Sequence, residues 1–106
     1  MKLFTKEIER KLEKAGPDGR TAVCKVFNPC GAGTWVIFGQ EAFDPDILVC
    51  VADLGMECVE FGSVRRSELE DVRVKPFGLP LERDLHFSNK GKPVGFFLDL
   101  PSLVGC

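Results

Sequence analysis

The densest chemistry in the chain lies in one run, Leu81-Glu82-Arg83-Asp84-Leu85-His86-Phe87. Polar and apolar residues alternate along it. In an extended segment successive side chains point to opposite faces. Leu81, Leu85 and Phe87 then face a core, and Arg83 shares their side. Glu82, Asp84 and His86 line the other face. Two carboxylates and an imidazole spaced about 6–7 Å apart can ligate a divalent metal or shuttle protons. If the run is helical instead, Glu82 and His86 meet at i, i+4. The plainer alternative is a solvated face whose charges only keep the segment soluble. His86 is the only histidine, so a two-histidine metal site and a His-x-Glu deaminase pattern are excluded. Arg83 cannot shed its charge, and on an apolar side it needs a carboxylate or carbonyl partner. Glu41, Asp53 and Glu60 are the carboxylates that a sheet could bring to it. Arg83 then either fixes the segment through an ion pair or serves as an anion ligand.

A second group is basic: Arg65, Arg66, Arg73 and Lys75. Four cations near Trp35 or Phe77 could touch a nucleic-acid backbone. Glu68, Glu70 and Asp71 are interleaved with them, which favours a mixed, solvated surface. Gly31-Ala32-Gly33-Thr34 is glycine-rich but lacks the lysine and following helix of a phosphate loop. No Gly-x-Ser-x-Gly elbow occurs. The five cysteines are Cys24, Cys30, Cys50, Cys58 and Cys106. An odd count argues against a secreted disulfide framework, and no pair has the close spacing of a zinc site. Reduced thiols packed as small hydrophobes are expected, with no metal and no cofactor.

Composition bounds the rest. With 106 residues the chain should form a single domain, residues 1–106. Apolar residues make up 44% and charged residues 28%, as in an ordinary globular protein. Fourteen basic residues against sixteen acidic leave a net charge of −2. A tight, sequence-independent nucleic-acid binder would be more basic. The longest apolar run, Ile47 to Ala52, is far short of the roughly twenty residues that span a bilayer, so no membrane partner is expected. The first fifteen residues are dense in lysine and glutamate, which leaves no secretory signal and points to the cytoplasm.

The elements that must position these residues can be read in outline. Phe4, Ile8, Leu12 and Ala15 form a one-sided helical stripe, capped by Thr5 and stopped at Gly16-Pro17. Strand signals follow at Ala22–Phe27, Thr34–Phe38, Ile47–Ala52 and Cys58–Val64, joined by turns at 28–33, 44–46 and 53–55. Short connections predict an antiparallel meander. Ser67-Glu68-Leu69-Glu70 has capping-box spacing and predicts a short second helix. Val94–Leu100 is apolar and reads as an edge strand. The expected fold is α+β: an antiparallel sheet of four to five strands with an N-terminal helix and a short second helix packed on it.

Several short blocks together resemble a bacterial family known as domain of unknown function 2958. They are Leu3-Phe4-Thr5-Lys6-Glu7-Ile8, Thr34-Trp35, Phe43-Asp44-Pro45, Asp53-Leu54-Gly55-Met56, Glu60-Phe61-Gly62, Ser67-Glu68-Leu69 and Gly78-Leu79-Pro80-Leu81-Glu82-Arg83-Asp84. The last is the most specific. Gly39-Gln40-Glu41-Ala42 departs from the family pattern, and residues 93–106 match nothing in it. The resemblance implies a link to conjugative plasmids and other mobile elements and supplies no catalytic role. Taken together, the chain reads as a small accessory or interaction module with an unknown protein partner. The alternative is a metal-dependent hydrolase or nuclease using Glu82, Asp84 and His86.

Overall fold

A computed structural model describes residues 2–56 and 58–106. Helix α1 spans Lys6–Ala15. Its stripe works as expected: Thr5 Oγ1 accepts from the Ile8 N–H at 3.2 Å, and Leu12 is fully buried. Gly16 ends the helix at φ 64°, a conformation that glycine adopts without steric cost, and its N–H returns to the Leu12 carbonyl.

Five strands follow: β1 Cys24–Phe27, β2 Thr34–Gln40, β3 Ile47–Asp53, β4 Val59–Arg65 and β5 Glu82–Arg83. They form one antiparallel sheet in the order β4-β3-β2-β1-β5. The first four are the expected meander. β5 pairs with the far side of β1, setting Arg83 opposite Val26 and Glu82 opposite Phe27. β4 and β5 are the edges.

Both faces of the sheet carry a core. On one face Cys24, Val26, Ile37, Leu48 and Cys50 pack against Leu3, Phe4 and Leu12 from the N-terminal segment and α1, with Leu69 and Leu81. On the other, Val36, Phe38, Val49 and Val51 pack under Phe87, Phe97 and Leu103. This two-sided burial is why β2 and β3 read as continuous apolar runs. The register between β2 and β3 shifts between Ile37 and Gly39. There the backbone of β2 passes so close to the turn after α1 that a Cβ on Gly39 would collide with the Gly16 carbonyl oxygen.

Two elements differ from expectation. Val94–Leu98 is a helix, α3, not an edge strand. Periodicity cannot separate the two in so short an apolar run. Helical spacing lets Val94 and Phe97 reach the sheet together, and Phe97 packs edge-on against Phe38 with ring centroids 5.7 Å apart. The second helix, α2 Arg66–Asp71, lacks the capping box. Ser67 lies inside its first turn, and Asp46 serves instead. The Asp46 carboxylate accepts from the Ser67 N–H at 3.0 Å and from its hydroxyl at 2.8 Å. These bonds hold the Asp46 carboxyl below its usual value.

Candidate functional site

The structure divides the Glu82, Arg83, Asp84, His86 cluster between two faces. Arg83 points to the α1 face, where Nη1 donates to the carbonyls of Lys2 at 2.7 Å and Leu3 at 2.6 Å. Its partners are therefore backbone carbonyls, not Glu41, Asp53 or Glu60. Asp84 lies toward the other face. Its N–H bonds the Lys25 carbonyl at 2.9 Å, and its carboxylate lies 3.6 Å from Lys25 Nζ. The chain then turns: Asp84 Oδ1 accepts from the His86 N–H at 2.9 Å, an Asx turn. Extended structure stops at Arg83, so the alternation fails beyond it. Leu85 is 62% exposed although it was expected in the core, while Leu81 and Phe87 are buried. His86 is exposed in the turn. Glu82, Asp84 and His86 do not converge, and among the described residues no group of three His, Cys, Asp or Glu side chains is arranged to hold a metal. The hydrolase alternative has no support in this geometry.

What the sequence did not single out is Lys25. It is 5% exposed and sits on the α3 face of β1. Besides Asp84 it reaches the Cys106 carbonyl at 3.5 Å. A cleft of about 310 Å³ opens beside it, lined by Asn28, Thr34, Val104 and Gly105 among others. A lysine in a strand ordinarily reads as a solvent-facing position, so its type hides its burial. Nearby Asp53 is also buried. Its Oδ2 accepts from the Leu103 N–H and the Ser102 hydroxyl, both at 2.9 Å, and its Oδ1 from the Gly55 N–H at 2.9 Å. The Leu103 bond is the largest of several that push its carboxyl below the usual range. Asp53 thus fastens the C-terminal segment to the end of β3.

The basic group also disperses. Arg65 bonds Asp44 at 3.2 Å and approaches Asp46 at 3.5 Å. Arg66 donates to Gln40 Oε1 at 2.9 Å and stacks over the Phe4 ring. Arg73 folds back on the carbonyls of Glu70 and Val72. Lys75 is exposed. Three of the four cations are engaged within the molecule. The thiols are unbridged: Cys24 and Cys50 are buried, and burial pushes both up to about 12. Cys30 and Cys58 are exposed.

β4 is the most exposed strand, with five of its seven residues exposed. The Arg66 N–H bonds the Asp46 carbonyl at 2.7 Å, which makes the pair 46/66 a hydrogen-bonded one. Alternation along the antiparallel ladder then assigns Leu48/Val64, Cys50/Gly62 and Ala52/Glu60 to bonded pairs. The N–H and C=O groups of Val59, Phe61, Ser63 and Arg65 therefore point away from β3, and among the described residues no other strand lies beyond them. Phe61 is 45% exposed, and Leu54 and Met56 in the preceding turn are also exposed. On the α1 face, a groove of about 350 Å³ runs over Trp35, Cys50, Ala52 and Gly62, rimmed by Glu60 and Glu68. The sequence predicts this strand but not its exposure. The available signal was contrast: β3 is solidly apolar, whereas Glu60, Gly62 and Ser63 interrupt β4.

An α+β domain with a five-stranded antiparallel sheet is the class this fold defines. The family model described as "Protein of unknown function (DUF2958)" matches residues 2–105. The chain belongs to that family. The match covers the segment 93–105 that the resemblance left out. Comparison with curated proteins and with solved structures found no match.

Proposed function

We propose that this chain is a small accessory module that binds another protein, and that the partner docks along the free edge of β4. The observation that carries this reading is the row of outward backbone groups at Val59, Phe61, Ser63 and Arg65, flanked by exposed Leu54, Met56 and Phe61. Sheet edges of this kind are templates for an added strand, and natural proteins usually blunt them with short strands, prolines, lysines or a covering element. β4 is seven residues long and contains neither proline nor lysine. The resemblance to domain of unknown function 2958 adds the setting: service to conjugative plasmids or other mobile elements. The odd number of cysteines, with no closely spaced pair, favours a reducing compartment such as the cytoplasm.

Site-specific photocrosslinking tests the docking surface. A benzophenone side chain is placed at Phe61, with controls at Phe43 and Phe77, both of which are more exposed than Phe61. The expected outcome is one discrete adduct from position 61, absent from both controls and lost on Ser63→Pro. Equal adducts at all three positions, or none at 61, refute the reading.

A further inference from the structure

Resting on the docking reading above, we infer that the β4 edge accepts an extended protein segment carrying a lysine or arginine, whose side chain enters the groove beside Gly62. Three observations carry this. The first is shape. Gly62 projects no side chain, and a Cβ built there meets nothing within 4 Å. A strand added to β4 would bond through Phe61 and Ser63, placing one of its residues directly opposite Gly62 in a non-bonded pair, where the two chains approach most closely. That residue's side chain points to the α1 face and over the groove.

The second is charge. Glu60 and Glu68 are the charged residues on the groove's rim, and no lysine, arginine or histidine lines it among the described residues. The third is the floor. Trp35 is half-buried there, offering a tryptophan surface to a cation. Cation–aromatic attraction adds to carboxylate pairing, and a long alkyl stem fits an apolar floor while its head reaches the acidic rim.

A second copy of this chain fits less well. Pairing all seven residues of β4 with themselves antiparallel sets Gly62 against Gly62. The groove then stays empty and its carboxylates unmatched. An aliphatic strand would fill the floor but bring no cation to Glu60 and Glu68.

The probe is a set of capped heptapeptides, Thr-Val-Thr-X-Thr-Val-Thr, with X as lysine, arginine, glutamine or glutamate. Trp35 is the only tryptophan, so its fluorescence reports on the groove alone. Amide hydrogen exchange at Phe61 and Ser63 reports on strand addition. The lysine and arginine peptides should shift the fluorescence saturably, protect both amides, and bind about tenfold or more tightly than the glutamate peptide. The double variant Glu60→Lys/Glu68→Lys, altered at two exposed positions, should reverse that order. Equal binding of all four peptides with the same amides protected overturns the cation preference and leaves strand docking intact. Failure of every peptide to change either readout overturns both. Concentration-dependent dimerisation of the unliganded chain that protects the same amides assigns the edge to a second copy and overturns the inference.

Discussion

At the scale of single residues, Asp53 has the clearest dependence on its surroundings. Its folded carboxyl lies below the ordinary value, chiefly because the Leu103 N–H donates to it, then because Gly55 does. The sign follows from linkage. A depressed folded value gives stability that is present above the unfolded value of about 3.9 and is lost as pH falls through the folded one. Melting temperature should therefore drop between about pH 5 and pH 2 in the native chain. Asp53→Asn should start lower, by about 1–3 kcal/mol at neutral pH, because a charged acceptor of several donors is lost. It should also fall less steeply over that acid range. A calorimetric pH series on both proteins checks this, and parallel slopes would assign the acid limb to other carboxylates. Asp53 was visible in the sequence only as a turn residue and a candidate partner for Arg83. Gly55 is a local donor that the turn could suggest, but Ser102 and Leu103 lie 49 and 50 positions downstream, and no local pattern encodes those contacts.

At the scale of elements, the sheet edges separate legible from illegible parts of the chain. α1, β1, β2, β3 and β4 announce themselves by strong periodicity or by β-branched runs, and their turns by Asn-Pro, Asp-Pro and Leu-Gly pairs. β5 does not: two paired residues are too few for alternation to persist, and the Asx turn at Asp84 redirects the chain before Leu85. α3 escaped because five apolar residues suit either geometry. The candidate cluster was half legible. The need of Arg83 for a carbonyl or carboxylate follows from its charge, but which one depends on where residues 2 and 3 cross β5. Arg83→Ala should lower the urea midpoint by the equivalent of about 1.5–3 kcal/mol, since one guanidinium nitrogen serves two carbonyls. Glu82→Ala and His86→Ala should change it by about 0.5 kcal/mol or less, as surface substitutions do. Equal shifts for all three would show that the contact between β5 and the N-terminal segment contributes nothing to stability.

At the scale of the whole molecule, charge is balanced and internally committed. The net charge is −2, and Arg65 and Arg66 are held by Asp44, Asp46, Gln40 and Glu9. Phosphate binding would have to break these contacts before gaining any counterion release. Random duplex DNA at physiological salt should not bind with sub-micromolar affinity in a gel shift. If it does, the slope of affinity against salt counts the phosphates engaged, and Arg65, Arg66, Arg73 and Lys75 are the residues to replace first.

The two strand glycines, Gly39 and Gly62, answer to different kinds of constraint. Any side chain at 39 meets the Gly16 carbonyl, so a saturation library screened for folding alone retains glycine there. Position 62 has open space around it, and the same screen is permissive. Screened instead for partner capture, the library should close at 62, because every added side chain occupies room reserved for the visitor. The difference between the two screens at that one codon separates what the architecture demands from what the occupation demands.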